Sequence, residues 1–287
     1  MKLTFLGLPD HPQARVALIP APLEITTSWQ KGTKEAPTEI LKVSPNLEFF
    51  DEETEIEPQE VLGFFTYPVP ELPFDINTAL EEISKKVIET LIKKRFPIVI
   101  GGEHTVTLGS IKALKGFYEN LKILHLDAHL DLRDEYLGCK ISHATVIRRI
   151  YEMGIPILSV GVRTLCKEEY EFIKEVNFPL LWMKDLRENW EKSLRIIEEF
   201  IKEGDIYLSL DMDVFDPSFA PGVGTPEPGG IGWYEFLQIL KLVVRYNLVG
   251  MDIVEVKPNL GNAITEYLAA KIIFKISSYL AKKYETL

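Results

Sequence analysis

Cysteine is scarce in this chain of 287 residues, which carries only Cys139 and Cys166. Two thiols make no disulfide framework in a chain of this length, and no CxxC motif offers a thiolate metal site. The first residues bring Pro9 and Asp10 too early for a secretory signal peptide. Apolar runs of bilayer-spanning length are also missing. We therefore expect a cytoplasmic protein without a membrane partner.

Positive charge is also in short supply, since 32 lysines and arginines face 43 aspartates and glutamates, for a formal net charge of −11. Nucleic acids and anionic membranes bind through basic patches, so this deficit argues against both as partners. The chain also lacks internal repeats, low-complexity tracts and Gly/Ser linkers. We therefore expect a single domain across residues 1–287.

Short apolar runs alternate with helix-like segments along most of the chain. Near-continuous apolar strands between helices are typical of an α/β fold, with a parallel sheet covered on both faces. Ligand sites in such sheets lie beyond the carboxyl ends of the strands. The most polar segment, 51–60, predicts a solvated loop or sheet edge. The predicted strands are 97–100, 121–126, 157–160, 206–210 and 248–256, and the predicted helices include 83–95, 193–203 and 265–282.

Three of these strands run directly into acidic or histidine residues. Strand 97–100 leads into GGEH (101–104), strand 121–126 into DAHLD (127–131), and strand 206–210 into DMD (211–213). Residues two apart in an extended chain point to the same side, so the acidic and histidine side chains of the last two motifs can converge. The resulting set of four carboxylates and two imidazoles is His104, Asp127, His129, Asp131, Asp211 and Asp213.

This set predicts a metal centre. A single aspartate at a strand end is commonly a turn or helix cap, but capping does not explain all three motifs together. Four carboxylates at one place would repel one another, and two divalent cations would neutralise their formal charge. Oxygen-rich ligation with some imidazole favours manganese over zinc, while zinc, cobalt and iron remain open.

The motifs carrying this chemistry resemble the ureohydrolase family, which includes arginase, agmatinase, guanidinobutyrase and formiminoglutamase. The resemblance extends from about Val16 to the last predicted helix. It implies a three-layer α/β/α sandwich around a mainly parallel, eight-stranded sheet, and a homotrimer or homohexamer. It also implies two Mn²⁺ ions per chain, held by the six residues above. The matching motifs are GGEHT (101–105), LDAHLDLRD (126–134), SHATVIRR (142–149), SLDMDVFDPSFAPGVGTPEPGG (209–230) and MDIVEVKP (251–258).

The same resemblance implies roles outside the metal shell. His143 would be a proton shuttle that protonates the leaving amine. Glu255, at the end of strand 248–256, would bind the guanidinium through paired hydrogen bonds. Asp131 would help to hold the tetrahedral intermediate. Glu103 stands where many members have aspartate, and we interpret it as orienting a metal-bound histidine.

Three other residues have plainer expected roles. His125 lies within strand 121–126 and is expected to be a buried core residue. Arg163 follows strand 157–160 and is expected to pack against the protein or form a salt bridge. Asp252 precedes Glu255 by three residues and is expected to be structural.

The predicted reaction is hydrolysis of a small cationic guanidino compound, most specifically agmatine to putrescine and urea, a step of polyamine biosynthesis. The TPEPGG portion (225–230) looks like agmatinase-type members more than arginases. The Glu-, Lys- and Ile-rich composition resembles thermophile proteins, which makes aminopropylagmatine an alternative. Guanidinobutyrate, arginine and formimino substrates also remain open.

Two alternatives belong to other functional classes. A single-zinc deacetylase shares the fold and a metal-binding Asp-x-His, and a count of bound metal ions would separate it. A non-catalytic binding or scaffold protein on the same fold is expected to have lost metal ligands, whereas all six are present here.

Overall fold

Eight strands form one sheet in the structure, a computed structural model that describes residues 2–259 and 261–286. The strands are β1 (Val16–Ala21), β2 (Phe64–Thr66), β3 (Phe96–Gly101), β4 (Leu121–Leu126), β5 (Ile157–Val162), β6 (Leu180–Trp182), β7 (Asp205–Asp211) and β8 (Leu248–Val254). They lie in the order β2-β1-β3-β8-β7-β4-β5-β6, and all seven pairings are parallel. The predicted α/β fold with an eight-stranded parallel sheet is confirmed.

Ten α-helices accompany this sheet within the described residues. They are α1 (Ala36–Val43), α2 (Pro58–Leu62), α3 (Ile76–Ile92), α4 (Val106–Leu114), α5 (Val146–Glu152), α6 (Lys167–Val176), α7 (Met183–Glu188), α8 (Trp190–Ile201), α9 (Trp233–Arg245) and α10 (Ile264–Glu285). None of these helices is long and apolar enough to cross a membrane. The predicted helix 83–95 begins earlier than expected, because Asp75 caps α3 by accepting a hydrogen bond from the backbone N–H of Thr78 at 2.9 Å.

The strands are buried on both faces, and successive residues serve two different cores. In β7, Ile206 and Leu208 belong to one core, while Tyr207 between them belongs to the other. This alternation follows from the two-residue period of a strand. Helices α1 and α7 to α10 contribute to the first core, and α3 to α6 contribute to the second. The result is the expected three-layer α/β/α arrangement.

The sheet order places the predicted metal-binding motifs side by side. Strands β3, β8, β7 and β4 are consecutive neighbours, and their carboxyl ends meet at one edge of the sheet. The predicted strand 248–256 was too long, because β8 ends at Val254 and Glu255 turns into the left-handed region with φ of 62°. Glu255 therefore leaves the sheet beside the three motifs.

The polar segment 51–60 contains the solvated loop that its composition predicted, because residues 52–55 form a turn and Glu52, Glu55 and Glu57 are exposed, but its first residue is not solvated. Asp51 is fully buried, and its Oδ2 lies 2.8 Å from Nζ of Lys275 on α10, which is itself 1% exposed. Glu52 and Glu53 also reach this ammonium group, at 3.0 and 3.3 Å. A buried lysine requires such paired charges. Lys275 lies more than 200 residues from this segment along the chain, so no local sequence pattern predicts the pairing.

Glu53 makes this cluster sensitive to acid. Burial alone raises its pKa, but hydrogen bonds from Lys241, Tyr279 and Lys275 outweigh that effect and lower the pKa to about 2. A carboxyl whose pKa is lower in the folded state stabilises the fold above its unfolded pKa of 4.5. This stabilisation is lost as the pH falls from about 4.5 to about 2.

We therefore expect Glu53→Gln to lower stability at pH 7 by about 1 kcal/mol, because Glu53 is itself exposed and solvent screens its charge interactions. It should also flatten the fall in Tm between about pH 5 and pH 2. Thermal unfolding of both proteins across this pH range checks the prediction. Glu48→Gln, at an exposed glutamate, is the control and should reproduce the wild-type curve. A Glu53→Gln curve that runs parallel to the wild type would contradict the assignment.

Candidate metal centre

The six predicted ligands follow the carboxyl ends of β3, β4 and β7. The turn after β3 is unusually tight, since a Cβ atom at Gly102 would lie 2.0 Å from the carbonyl oxygen of Leu23. Only glycine fits there, because the chain before His104 passes so close to the backbone of Leu23. Asp131 sits in the left-handed region with φ of 54°. Such strained non-glycine residues concentrate at functional sites.

The first group of donors surrounds Nδ1 of His104. This nitrogen lies 3.2 Å from Oδ2 of Asp127 and 3.2 Å from Oδ2 of Asp211. Oδ2 of Asp131 lies 3.1 Å away. The buried nitrogen has no hydrogen-bond partner of good geometry, although the opposite ring nitrogen lies 3.0 Å from Oγ of Ser209. Three carboxylate oxygens therefore surround one imidazole nitrogen, and such a donor set suits a cation.

The second group surrounds Nδ1 of His129. This nitrogen lies 2.9 Å from Oδ2 of Asp213 and 3.4 Å from Oδ1 of Asp127. Asp127 thus gives one oxygen to each group and lies between them. Two groups that share a carboxylate have the layout of a binuclear site.

The protonation preferences of these residues reflect crowded negative charge. Burial alone lowers the pKa of His104, but the neighbouring carboxylates outweigh it and raise the pKa well above its ordinary value. Burial also raises the pKa of Asp211 and Asp213, and the charge of Asp127 raises both further. Positive charge on the histidines is therefore stabilised at this place, whereas negative charge on Asp211 and Asp213 is destabilised. The cluster is able to bind metal ions, which supply the positive charge that its donors require.

Two buried residues hold the ligands from behind. His125 is fully buried, as expected, with Nε2 2.9 Å from Oδ2 of Asp127 and Nδ1 2.9 Å from Oγ of Ser159. Since both ring nitrogens are engaged, His125 supports Asp127 and is not itself free to bind a metal ion. Such outer partners fix the orientation of metal ligands.

The second support lies behind His104. Ser209, whose Oγ is 3.0 Å from Nε2 of His104, donates a hydrogen bond of 2.9 Å to Asp252. The hydroxyl of Tyr207 donates to the other oxygen of Asp252, also at 2.9 Å. Asp252 is fully buried, in agreement with its predicted structural role.

Arg163 has the structural role that the sequence predicted, although it acts through hydrogen bonds to the main chain and forms no salt bridge among the described residues. Its guanidinium donates six hydrogen bonds of 2.6–3.3 Å to main-chain oxygens, which no side-chain pattern could reveal. These bonds join the turn that carries Asp213 to the glycine- and proline-rich stretch 221–230. The acceptors are the carbonyl oxygens of Gly161, Asp213, Val214, Phe215, Glu227 and Pro228.

We expect Arg163→Met to loosen this turn and weaken metal binding. Methionine keeps the apolar length but leaves several carbonyl oxygens without a donor, at a cost of about 2–4 kcal/mol of stability. Because the turn positions a ligand, affinity for Mn²⁺ should fall by roughly 10–100-fold. Calorimetric metal titration and thermal unfolding measure the two effects. Arg195→Met, at an exposed position of α8, is the control, and an unchanged affinity in Arg163→Met would refute the role.

A cavity of about 290 Å³ opens above the cluster. His143 and Glu255 both line it, together with His129, Asp131, Asp211 and Asp213. His104 and Asp127 are buried beside it. The sequence analysis did not single out several further lining residues, because they lie outside the metal-binding motifs. These include Trp29, Tyr136, Cys166, Glu169 and Thr225.

Glu255 is held firmly at the cavity wall. Its Oε1 accepts a 2.7 Å hydrogen bond from the backbone N–H of His104. Burial is the main cause that raises its pKa, to about 8. The second carboxylate oxygen has no comparable bond to the protein among the described residues. This oxygen is available to a ligand, and a cationic ligand would favour the ionised form.

The sequence suggested that Glu103 orients a metal-bound histidine, but the structure gives it a different role. Its buried carboxylate accepts the backbone N–H groups of residues 25–27, at 2.7–3.1 Å. The hydroxyl of Thr26, in this loop, lies 3.0 Å from Nδ1 of His143. Burial lowers the pKa of His143. The threonine run before Ser28 was the only sequence sign of this arrangement.

Comparison with known proteins places the whole chain in one group. The sequence model of the arginase family matches residues 14–278. An N(1)-aminopropylagmatine ureohydrolase of Synechocystis sp. is 35% identical over 95% of this chain and 91% of its own length. An agmatinase of Bacillus cereus is 35% identical over 87% of this chain and 86% of its own length. The crystal structure of the agmatine ureohydrolase of Thermoplasma volcanium superposes with a TM-score of 0.90 at 28% identity, covering 99% and 96% of the two chains.

Proposed function

This chain is a hydrolase that belongs to the arginase family, and on that premise we propose that it hydrolyses agmatine to urea and putrescine. The observation that carries the proposal is the pair of donor groups sharing Asp127, next to a cavity lined by Glu255 and His143. The cavity thus combines a place for cations, a carboxylate for a guanidinium and a histidine for proton transfer.

We propose that the site takes two Mn²⁺ ions per chain. His104, Asp131 and Asp211 would hold one ion, His129 and Asp213 the other, and Asp127 would bind both. The oxygen-rich donor set supports manganese over zinc. When bound, the ions supply hydroxide at neutral pH, since coordination lowers the pKa of water from 15.7 toward about 7.

Glu255 orients the substrate in this mechanism. The His104 N–H holds one of its oxygens, so the carboxylate has a defined direction at the cavity wall. Its free lone pairs accept N–H groups of the planar guanidinium in a charge-assisted pair. The guanidino carbon is thereby held in a fixed position for attack.

Asp131 and His143 act on the later steps. The carboxylate of Asp131 lines the cavity. It accepts hydrogen bonds from the amino groups attached to the tetrahedral carbon, which lose their planarity when the carbon is attacked. His143, also in the lining, gives a proton to the leaving amine, which is a poor leaving group as an anion.

Agmatine is the proposed substrate because the relatives are named for agmatine or its aminopropyl derivative, and because the stretch 225–230 is of the agmatinase type. Aminopropylagmatine is the alternative that shares the same scissile end. Guanidinobutyrate, arginine and formimino compounds are weaker candidates. Asp134, an acidic residue close to the ligand Asp131 in sequence, does not add to the case for an amine tail, because it pairs with Arg149 at 2.9 Å and Lys140 at 3.2 Å.

Urea release from a panel of these compounds in Mn²⁺, with metal analysis of the same preparation, tests the proposal. We expect the largest kcat/KM for agmatine and two ions per chain. Preference for aminopropylagmatine would change the substrate but retain the reaction. A single tightly bound ion with deacetylase activity, or no turnover of any compound with both ions bound, would overturn it.

We further propose that the protein is a cytoplasmic homo-oligomer, a trimer or a hexamer, acting in polyamine biosynthesis. This assignment is supported by the family to which the chain belongs. Sedimentation equilibrium of the manganese-loaded protein should give the mass of three or six chains. A monomer at micromolar concentration would refute this part of the proposal.

A further inference from the structure

The carboxylate of Glu103 accepts several hydrogen bonds that have no part in the reaction described above. Its side chain is fully buried, and the six hydrogen bonds that it accepts all come from neutral groups. Oε2 accepts the N–H groups of Ile25, Thr26 and Thr27 at 2.7–3.1 Å. Oε1 accepts the hydroxyls of Thr26 at 2.8 Å and Thr105 at 2.7 Å. A carboxylate so surrounded by donors is an acceptor at each contact.

The Thr26 hydroxyl links Glu103 to His143. Its single proton is used in the bond to Oε1 of Glu103. The oxygen can therefore only accept at its two other contacts, which are the backbone N–H of His143 and Nδ1 of its ring, both at 3.0 Å. It follows that Nδ1 of His143 carries a proton, and that Nε2 of the neutral ring has the free lone pair.

We propose that Glu103 is a positioning residue that acts through Thr26 to hold His143 as the tautomer protonated on Nδ1. The catalytic role of this tautomer rests on the function proposed above, but the tautomer itself is a property of the protein without substrate. His143 lines the cavity, so the tautomer decides which ring nitrogen exchanges protons there.

The tautomer matters because His143 must both gain and lose a proton at one atom. Nε2 takes up a proton from solvent that enters the open cavity and then gives it to the nitrogen of the leaving amine. The C–N bond breaks with its electron pair remaining on that nitrogen, and the ring returns to its neutral form with the proton on Nδ1. A ring fixed with its proton on Nε2 has no lone pair there to receive another.

His143 is surrounded by charged groups and by neighbours that restrict its ring. Burial lowers its pKa, and the charges of Asp131 and Glu103 oppose this effect while those of His104 and His129 add to it. Tyr136 packs edge-on against the ring with a centroid distance of 5.4 Å. The ring is therefore confined between an aromatic neighbour and the Thr26 hydroxyl.

Glu103→Gln is the sharpest test, because it keeps the shape and reverses the hydrogen bonds. The amide oxygen must replace Oε2, since three N–H groups face that position. The amide NH₂ group then replaces Oε1 and donates to Thr26. The Thr26 hydroxyl is thereby released to donate to Nδ1 of His143, which moves the ring proton to Nε2.

The measurement is the ¹⁵N chemical shift of the His143 ring in ¹⁵N-histidine-labelled protein, with Zn²⁺ in place of paramagnetic Mn²⁺ and no substrate. His143→Asn assigns the signals. We expect protonated Nδ1 in the wild type and protonated Nε2 in Glu103→Gln. Wild-type protein with its proton on Nε2, or a Glu103→Gln variant that keeps it on Nδ1, would overturn the proposal.

Kinetics in Mn²⁺ give the second readout. Glu103→Gln should lower kcat by about 10²-fold, within the range that general acid–base groups contribute, with KM changed less than about 3-fold. Bound metal should stay at the wild-type level, which separates the effect from the adjacent His104. A loss of stability with an unchanged tautomer would mean a merely structural role and refute the proposal.

A pair of variants at Thr26 keeps the proposal testable even if Glu103→Gln does not fold. Thr26→Val removes the acceptor of the Nδ1 proton, so the ring should become a mixture of tautomers and kcat should fall. Thr26→Ser keeps the hydroxyl and should restore the Nδ1 tautomer and most of the lost kcat. Equal tautomer populations in the two variants would refute the role of the hydroxyl.

Discussion

Asp127→Asn should leave less than one bound metal ion per chain and lower urea release by at least about 10³-fold, beyond the 10–100-fold typical of outer partners. Among the described residues, Asp127 is the one side chain whose two oxygens reach both donor groups, toward His104 at 3.2 Å and toward His129 at 3.4 Å. Replacing one oxygen by an NH₂ group removes a negative charge and directs a donor at a cation. Both ions should therefore be weakened by a single substitution.

Metal content and urea release from the same preparation measure this effect. Asp51→Asn is the matched control, because Asp51 is equally buried but faces Lys275 on α10. The control should lower Tm while keeping the wild-type metal content. An Asp127→Asn protein that retains two ions and full activity would refute the placement of Asp127 between the two cations.

Glu255→Gln should reduce kcat/KM for agmatine by about 10²–10³-fold, since removing one partner of a buried charge pair costs roughly 2–5 kcal/mol. The amide oxygen can still accept the His104 N–H, whose bond is 2.7 Å in the wild type, so the local backbone should be retained. The amide NH₂ group would then face the N–H groups of the guanidinium, donor against donor. Both a higher KM and a lower kcat are expected, because orientation as well as binding is lost.

Steady-state kinetics with parallel metal analysis provide the check. Metal content should be unchanged, because Glu255 belongs to neither donor group. Glu266→Gln on α10 makes the same change at a carboxyl that is 4% exposed, against 9% for Glu255, and should behave as wild type. If Glu255→Gln binds and hydrolyses agmatine normally, the guanidinium does not contact this residue.

The strand ends show which strands and site residues a local sequence pattern can predict. In the segments 121–126 and 206–210, most residues are apolar and the acidic motif follows at once, so strand and site were both visible. Three strands, β1, β2 and β6, were not recognised individually, and β2 and β6 have only three residues each. Short edge strands carry too few residues for a periodic signal.

The residues whose contacts were not predicted share a different cause. Glu103, Arg163 and Asp51 are polar side chains whose partners lie far away along the chain or are main-chain atoms. Neither kind of partner can be predicted from the neighbouring sequence. Their roles became visible only when the loops were placed against one another.

By itself, the sequence determined the α/β alternation, the buried strands and the identity of the residues at their carboxyl ends. These features depend on the hydrophobic pattern and on neighbours a few residues apart. Only the tertiary structure decided that Asp127 lies between two donor groups, that Glu255 leaves the sheet beside them, and that Thr26 holds His143. Each of these contacts joins segments brought together by the order of parallel strands, and that order depends on packing across the whole sheet.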